Sequence, residues 1–156
     1  MNRTKIGVVA MPFALVAALP AAALAADACS MLTTAEIEAA MIAKVTKTVP
    51  SSVPPETGCV YLLGRDKVTL SYFTDSVNGP KMSSVKDDPF MRGLSGPNFK
   101  DYGNVACKIT TVGTLNSTNC NHYQPRLLRI SAQTRDRPPI AMDEVKVLLE
   151  RAATRF

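Results

Sequence analysis

Gly58-Cys-Val-Tyr-Leu-Leu-Gly-Arg-Asp-Lys-Val-Thr-Leu-Ser-Tyr-Phe-Thr74 is the stretch whose reading decides the fold. Cys59 to Leu63 and Lys67 to Thr74 are rich in β-branched and aromatic residues, and Gly64-Arg-Asp between them is a turn signal. Val68, Leu70 and Tyr72 recur with period two, which puts them on one face, with Thr69 and Ser71 on the other. The spacing predicts an antiparallel hairpin with one face in a core.

Strand patterning returns on the C-terminal side. Val105, Cys107 and Ile109 alternate within 104–112, and Leu128, Ile130 and Ala132 alternate within 126–134. Gly113-Thr-Leu-Asn-Ser-Thr-Asn119 reads as a polar connection between those strands, and Asn116-Ser-Thr118 has the form of a glycosylation acceptor. Val45 to Val49 alternates like a short strand, after which Pro50 and Pro54-Pro55 predict an extended loop.

Two helices bracket the strands. Thr33 is placed as an N-cap, Glu36 three residues on completes a capping box, and Leu32 with Ile37 forms a hydrophobic staple. That helix is expected to end near Ala43. Pro138-Pro139 closes the last strand, and Val145, Leu148, Leu149, Ala152 and Phe156 make a helical stripe from about Met142 to Arg155. Asp143 and Glu144 suit the positive end of this helix, Arg151 and Arg155 the negative end. The fold class that follows is α+β: an antiparallel sheet of four or more strands with N-terminal and C-terminal helices packed on it and two disulfides.

The chain has 156 residues, enough for one domain. Arg3 and Lys5 precede a mostly apolar run, Ile6 to Leu19, and Ala23 and Ala25 satisfy a small-residue cleavage rule. Residues 1–25 are therefore expected to be a signal peptide, and 26–156 a single exported domain with no membrane span after cleavage. Without the leader, 16 basic and 13 acidic side chains remain, a balance of +3. Arg126, Arg129, Arg135 and Arg137 cluster loosely. They read either as a surface for an anionic partner or, with no interleaved aromatic residues to stack bases, as an ordinary solvated strand and turn; the second is the expectation, and nucleic acid is not an expected partner.

Cys29, Cys59, Cys107 and Cys120 are an even set in an exported chain, which reads first as disulfides. Three pairings exist in principle. Cys29–Cys59 with Cys107–Cys120 ties neighbouring elements and leaves the two halves independent, and on the loop-entropy argument contributes roughly 3.5 and 3 kcal/mol. Cys107, Cys120 and His122 invite a metal reading, but no C-x-x-C pair is present and His122 is the single histidine, so neither a metal nor any cofactor is expected. Gly93-Leu-Ser-Gly-Pro97 departs from a nucleophile elbow at its last position, which leaves a Ser95–His122 triad without context. Asp87-Asp88 is an adjacent acidic pair expected to diverge into solvent. No catalytic residue is assigned.

Asp75 to Asn104 is broken by Gly79-Pro80, Asp88-Pro89, Gly93 and Gly96-Pro97. A short helix carrying Met82 and Val85 could follow Pro80. The stretch also carries Phe90, Met91, Leu94, Phe99 and Tyr102, either as a candidate contact surface or as a crossover covering one face of the sheet.

Cys29-Ser-Met-Leu-Thr-Thr-Ala-Glu-Ile37, Cys59-Val-Tyr61 and the terminal amphipathic helix resemble a set of small bacterial exported proteins and lipoproteins of unknown function. These open on a Cys-x-Leu-Leu-Thr-x-x-Glu-type helix start, and some are similar in outline to the PsbP/Mog1-type fold. Met31 stands where that set often has Leu, and the usual glycine after the first helix is missing. The resemblance implies export and fold, and carries no functional residues. The expected function is a periplasmic or secreted non-enzymatic binding module for an unknown protein or small ligand of the cell envelope. An envelope-acting hydrolase using Ser95 or the acidic pair, and a structural envelope component, are the alternatives.

Overall fold

The computed structural model describes residues 28–53, 56–73, 82–123 and 127–156. The leader, Pro54-Pro55, Arg126 and the start of the 75–104 stretch, including Pro80, lie outside the described residues.

Among the described residues, seven strands form one antiparallel sheet in the order β1-β2-β3-β7-β6-β5-β4. They are β1 Lys47–Val53, β2 Glu56–Leu63, β3 Asp66–Phe73, β4 Phe99–Asp101, β5 Val105–Val112, β6 Leu115–His122 and β7 Leu128–Arg135. The sheet consists of two meanders, β1–β3 and β4–β7, joined by the β3–β7 ladder in which Leu70 faces Ile130. The 59–73 hairpin stands as expected, with Val68, Leu70 and Tyr72 buried on one side. Its turn is Gly64-Arg65, and Gly64 supplies the φ of +66° that a two-residue hairpin loop of this kind needs at its first position. Gly113, at φ +60°, does the same between β5 and β6.

The structure departs from the sequence expectation at Pro50 and at residues 113–119. Pro50 does not end a strand; it lies within β1, opposite Cys59. Because β1 is an edge strand, the missing N–H of Pro50 costs no ladder bond on the free side. Residues 113–119 are not a loop either, since all but the Gly113-Thr114 turn belong to β6, paired on both sides.

Helix α1 is Thr34–Met41 and helix α2 is Met142–Ala153. The capping box is present, with Glu36 N–H donating to Thr33 Oγ1 and Thr33 N–H donating to Glu36 Oε2. The helix stops at Ile42, which takes the left-handed conformation at φ 51°, a cost for a β-branched residue where glycine is usual. Helix α2 lies against β5, β6 and β7, and α1 has α2 as its main neighbour.

The N-terminal segment is tied down by several groups. Cys29–Cys59 and Cys107–Cys120 are both formed. Tyr61 Oη donates to Leu32 O, and burial, with Glu36 nearby, pushes the phenol up to about 12. Arg155 donates to Met31 O and reaches both oxygens of Glu36. That guanidinium and the Thr33 backbone hold the Glu36 carboxyl down near 2.

The main core fills the space between sheet and helices, drawing on Ile37, Tyr61, Leu70, Ile130, Val145 and Leu149 among others. A second, smaller cluster sits on the opposite side of the sheet: Met82, Ala106, Tyr123 and Leu127, with Phe73, Val85 and Phe99 against it. The 82–98 segment thus covers one end of that second face through a series of turns; Met82 and Val85 are brought there without a helix.

Candidate functional site

The sheet has two unlike faces. Alternation along the strands sends Cys59, Leu70, Ile130, Cys120 and Cys107 toward the helices, in one row across neighbouring strands. The adjacent row on the other face runs Val60, Thr69, Ser131, Asn119, Lys108 and Phe99. A further row places Ser71, Arg129 and Asn121 side by side. This open face is polar and half-buried, and at the edge of the 82–98 segment it dips into a pocket of about 210 Å³. Phe90, Met91, Lys108, Asn119, Asn121 and Arg129 line it.

Each wall has a local cause. Asp88 is fully buried, and its carboxyl accepts from Asn121 Nδ2 at 2.6 Å, Tyr123 Oη at 3.0 Å and the Phe90 N–H at 2.8 Å. These three bonds pin the following turn to the sheet, since a buried carboxyl must be satisfied by such donors. Burial, followed by the bond to Asp88, raises the Tyr123 phenol well above its usual range. The acidic pair therefore does not diverge into solvent as expected. Asp87 is exposed, accepts from Ser83 and Ser84, and is lowered by those bonds; Asp88 is a structural anchor.

With the turn pinned, Met91 is driven into the interior at 1% exposure, and Phe90 is left standing outside at 62%. Lys108 Nζ donates to Phe90 O at 2.9 Å, and the Phe90 ring lies 5.9 Å from that ammonium and 5.8 Å from the Arg129 guanidinium. Arg129 also sits 5.1 Å from the Phe73 ring and meets Glu56 at 3.3 Å. Its Nε is buried with no hydrogen-bond partner among the described residues.

Of the residues singled out in the sequence, Phe90 and Met91 share this pocket, and Phe99 lies beside it, opposite Lys108 in the β4–β5 ladder. Leu94 stands exposed in a turn. Tyr102 belongs to another place: its hydroxyl donates to Asp143 at 2.6 Å at the start of α2, and Lys100 and Lys146 flank its ring. Asp143 is lowered by Tyr102 and Lys100, and the Tyr102 phenol is raised by burial and by Asp143.

Of the remaining candidates, Ser95 stands exposed on the 82–98 segment, and the others lie along β5 to β7 or, for Arg137, just past the end of β7. Both sulfurs near His122 are consumed in a disulfide, and among the described residues no group of three or more His, Cys, Asp and Glu gathers as metal ligands do. Burial lowers the His122 imidazole, with Glu150 opposing. Asn116 Nδ2 is bound to Arg137 O and its Oδ1 to Thr111, so the acceptor amide is already engaged within the fold. Arg137 holds Asp66 and Met41 O. Among the described residues no helix is long and apolar enough to cross a membrane.

Sequence reasoning missed Lys108, Asn119, Asn121 and Arg129 as a group. Lys108 and Arg129 lie on strands that the alternation predicts, but Asn119 falls in the expected 113–119 connection and Asn121 in a stretch with no predicted element; both belong to β6. No family model matches the chain, and neither the curated proteins nor the solved structures compared with it gave a match.

Proposed function

We propose that the chain is an exported, non-enzymatic binding module of the periplasm or the secreted space, and that the open face of its sheet is the contact surface. The observation that carries this reading is the pocket between Phe90, Lys108 and Arg129: an exposed aromatic ring held against two cations beside a polar sheet face. Buried anchors such as Asp88 fix the geometry beneath it, and preorganised concave sites with a few convergent polar groups are where ligands bind. Export draws support from the two disulfides and from the leader-like first 25 residues. The resemblance to small exported bacterial proteins agrees with it.

Paired surface variants test the reading. Phe90→Ser should lower retention of the chain on native envelope material at least tenfold with an unchanged melting temperature. Val147→Ser, on the exposed side of α2, should change neither. Equal retention of the two variants overturns the assignment of the open face.

A further inference from the structure

We infer that the pocket recognises one unit of an acidic saccharide chain, its carboxylate set between Lys108 and Arg129 and its ring against Phe90. The inference rests on the binding reading above and names its ligand.

Charge is the first argument. Among the described residues Lys108 has no carboxylate partner; its ammonium donates to a carbonyl, leaving two of three protons for a ligand. The Arg129 guanidinium meets Glu56 through Nη1 at 3.3 Å, so part of its donor fork is uncommitted. Lys47 and Lys67 stand in a neighbouring row of the same face, on either side of Leu62. Among the described residues, the carboxylates on this side are Glu56, half-buried and paired with Arg129, Asp101, exposed at the far edge, and Asp87, exposed on the 82–98 segment and engaged by Ser83 and Ser84. Asp88 lies close by, but its carboxyl is fully buried against three donors and presents no oxygen to the pocket. Charge-assisted bonds from a lysine and an arginine suit a carboxylate oxygen pair.

Shape is the second. At about 210 Å³ the pocket is smaller than the roughly 300–1,000 Å³ that bury whole small-molecule ligands. It fits a single unit, with the rest of the chain lying across the sheet. The groups next to it in that direction are Asn119, Ser131 and Thr69, one per strand. Amides and hydroxyls both donate and accept, which matches sugar hydroxyls. The exposed Phe90 ring supplies an apolar platform for the C–H face of the sugar. A flat anionic bilayer would contact the exposed Phe90 and the two cations but would leave this half-buried line of amides and hydroxyls unused.

Titration calorimetry of the purified full chain with a tetrameric oligouronate tests it. The arms are the same oligomer fully methyl-esterified, inorganic phosphate, and vesicles containing phosphatidylglycerol. The oligouronate should bind with a Kd that rises with salt, and the ester should bind at least tenfold more weakly. Lys108→Gln should weaken oligouronate binding at least fivefold at constant melting temperature. Lys44→Gln, which removes the same charge on the α1 side, should not. Equal binding of acid and ester, equal binding of inorganic phosphate, or binding of vesicles without the oligouronate each overturns the inference. If the oligouronate fails while Phe90→Ser still abolishes envelope retention, the saccharide is wrong and the binding face stands; if both fail, both readings fall.

Discussion

The two faces of the sheet are built from the same strands, one residue out of step, and they do different things. On the covered face Leu70, Ile130, Val68 and Ala132 are buried against one another and the helices. On the open face their neighbours Thr69, Ser131 and Arg129 remain partly in water. A period-two alternation buries one set of side chains and leaves the other toward water, where the proposed contact lies. The 82–98 segment is the exception, because it brings a small second core to the open face and leaves its margin as a pocket.

The sharpest way to break this comparison is to truncate neighbouring residues on β7. Ile130→Ala should cost about 2–5 kcal/mol, as deletions of buried aliphatic groups do, while Ser131→Ala should stay within about 0.5 kcal/mol. Urea unfolding measures both, and similar costs would mean the faces are not distinct. Gly58 probes the sheet itself. A Cβ there would lie 2.2 Å from Leu70 O on the paired strand, so Gly58→Ala should destabilise by about 1–3 kcal/mol through a local parting of β2 from β3. A neutral result would show that the β2–β3 contact is looser than the register implies.

Two smaller effects belong to the helical side. Ile42 is 85% exposed and left-handed, so Ile42→Gly relieves backbone strain without losing a core contact. It should stabilise by about 1 kcal/mol, seen as a rise in the denaturation midpoint. A loss of stability would mean that the side chain is needed where it stands. Glu36 has a folded-state pKa near 2 against an ordinary 4.5. Its contribution is therefore present above pH 4.5 and is lost as the pH falls through that window toward 2. The carboxylate is near the surface, so the loss should be only about 1 kcal/mol after solvent screening. Glu36→Gln should remove that part of the acid dependence, and an unchanged pH profile would show that Arg155 and Thr33 do not act on it.

The hairpin, the capping box, the terminal helix and both disulfides were legible because each rests on local signals: alternation, a cap spacing, a stripe, an even set of cysteines. Strand β6 was not. Leu115-Asn-Ser-Thr-Asn-Cys-Asn-His122 lacks apolar alternation, and asparagine is depleted in strands. It is a strand because β5 and β7 pair with it on both sides, and its inward polar groups find partners, Thr118 on Ile140 O and Asn116 on Arg137 O. Missing β6 also hid the pocket, because Asn119 and Asn121 come from it and the burial of Asp88 depends on Asn121. The one cue was length: Cys107 and Cys120 lie at matching distances from Gly113-Thr114, as partners across a two-residue turn must.

Arg155 clasps Met31 O and Glu36, so the first and last elements of the described domain meet. A short linker could therefore close them into a ring and the chain could be reopened at Gly113-Thr114, on the far side of a disulfide-locked ladder. Such a circular permutant would keep every residue of the open face in its register while making β6 and β7 first and β4 and β5 last, so that the second meander is assembled from the two ends of the new chain.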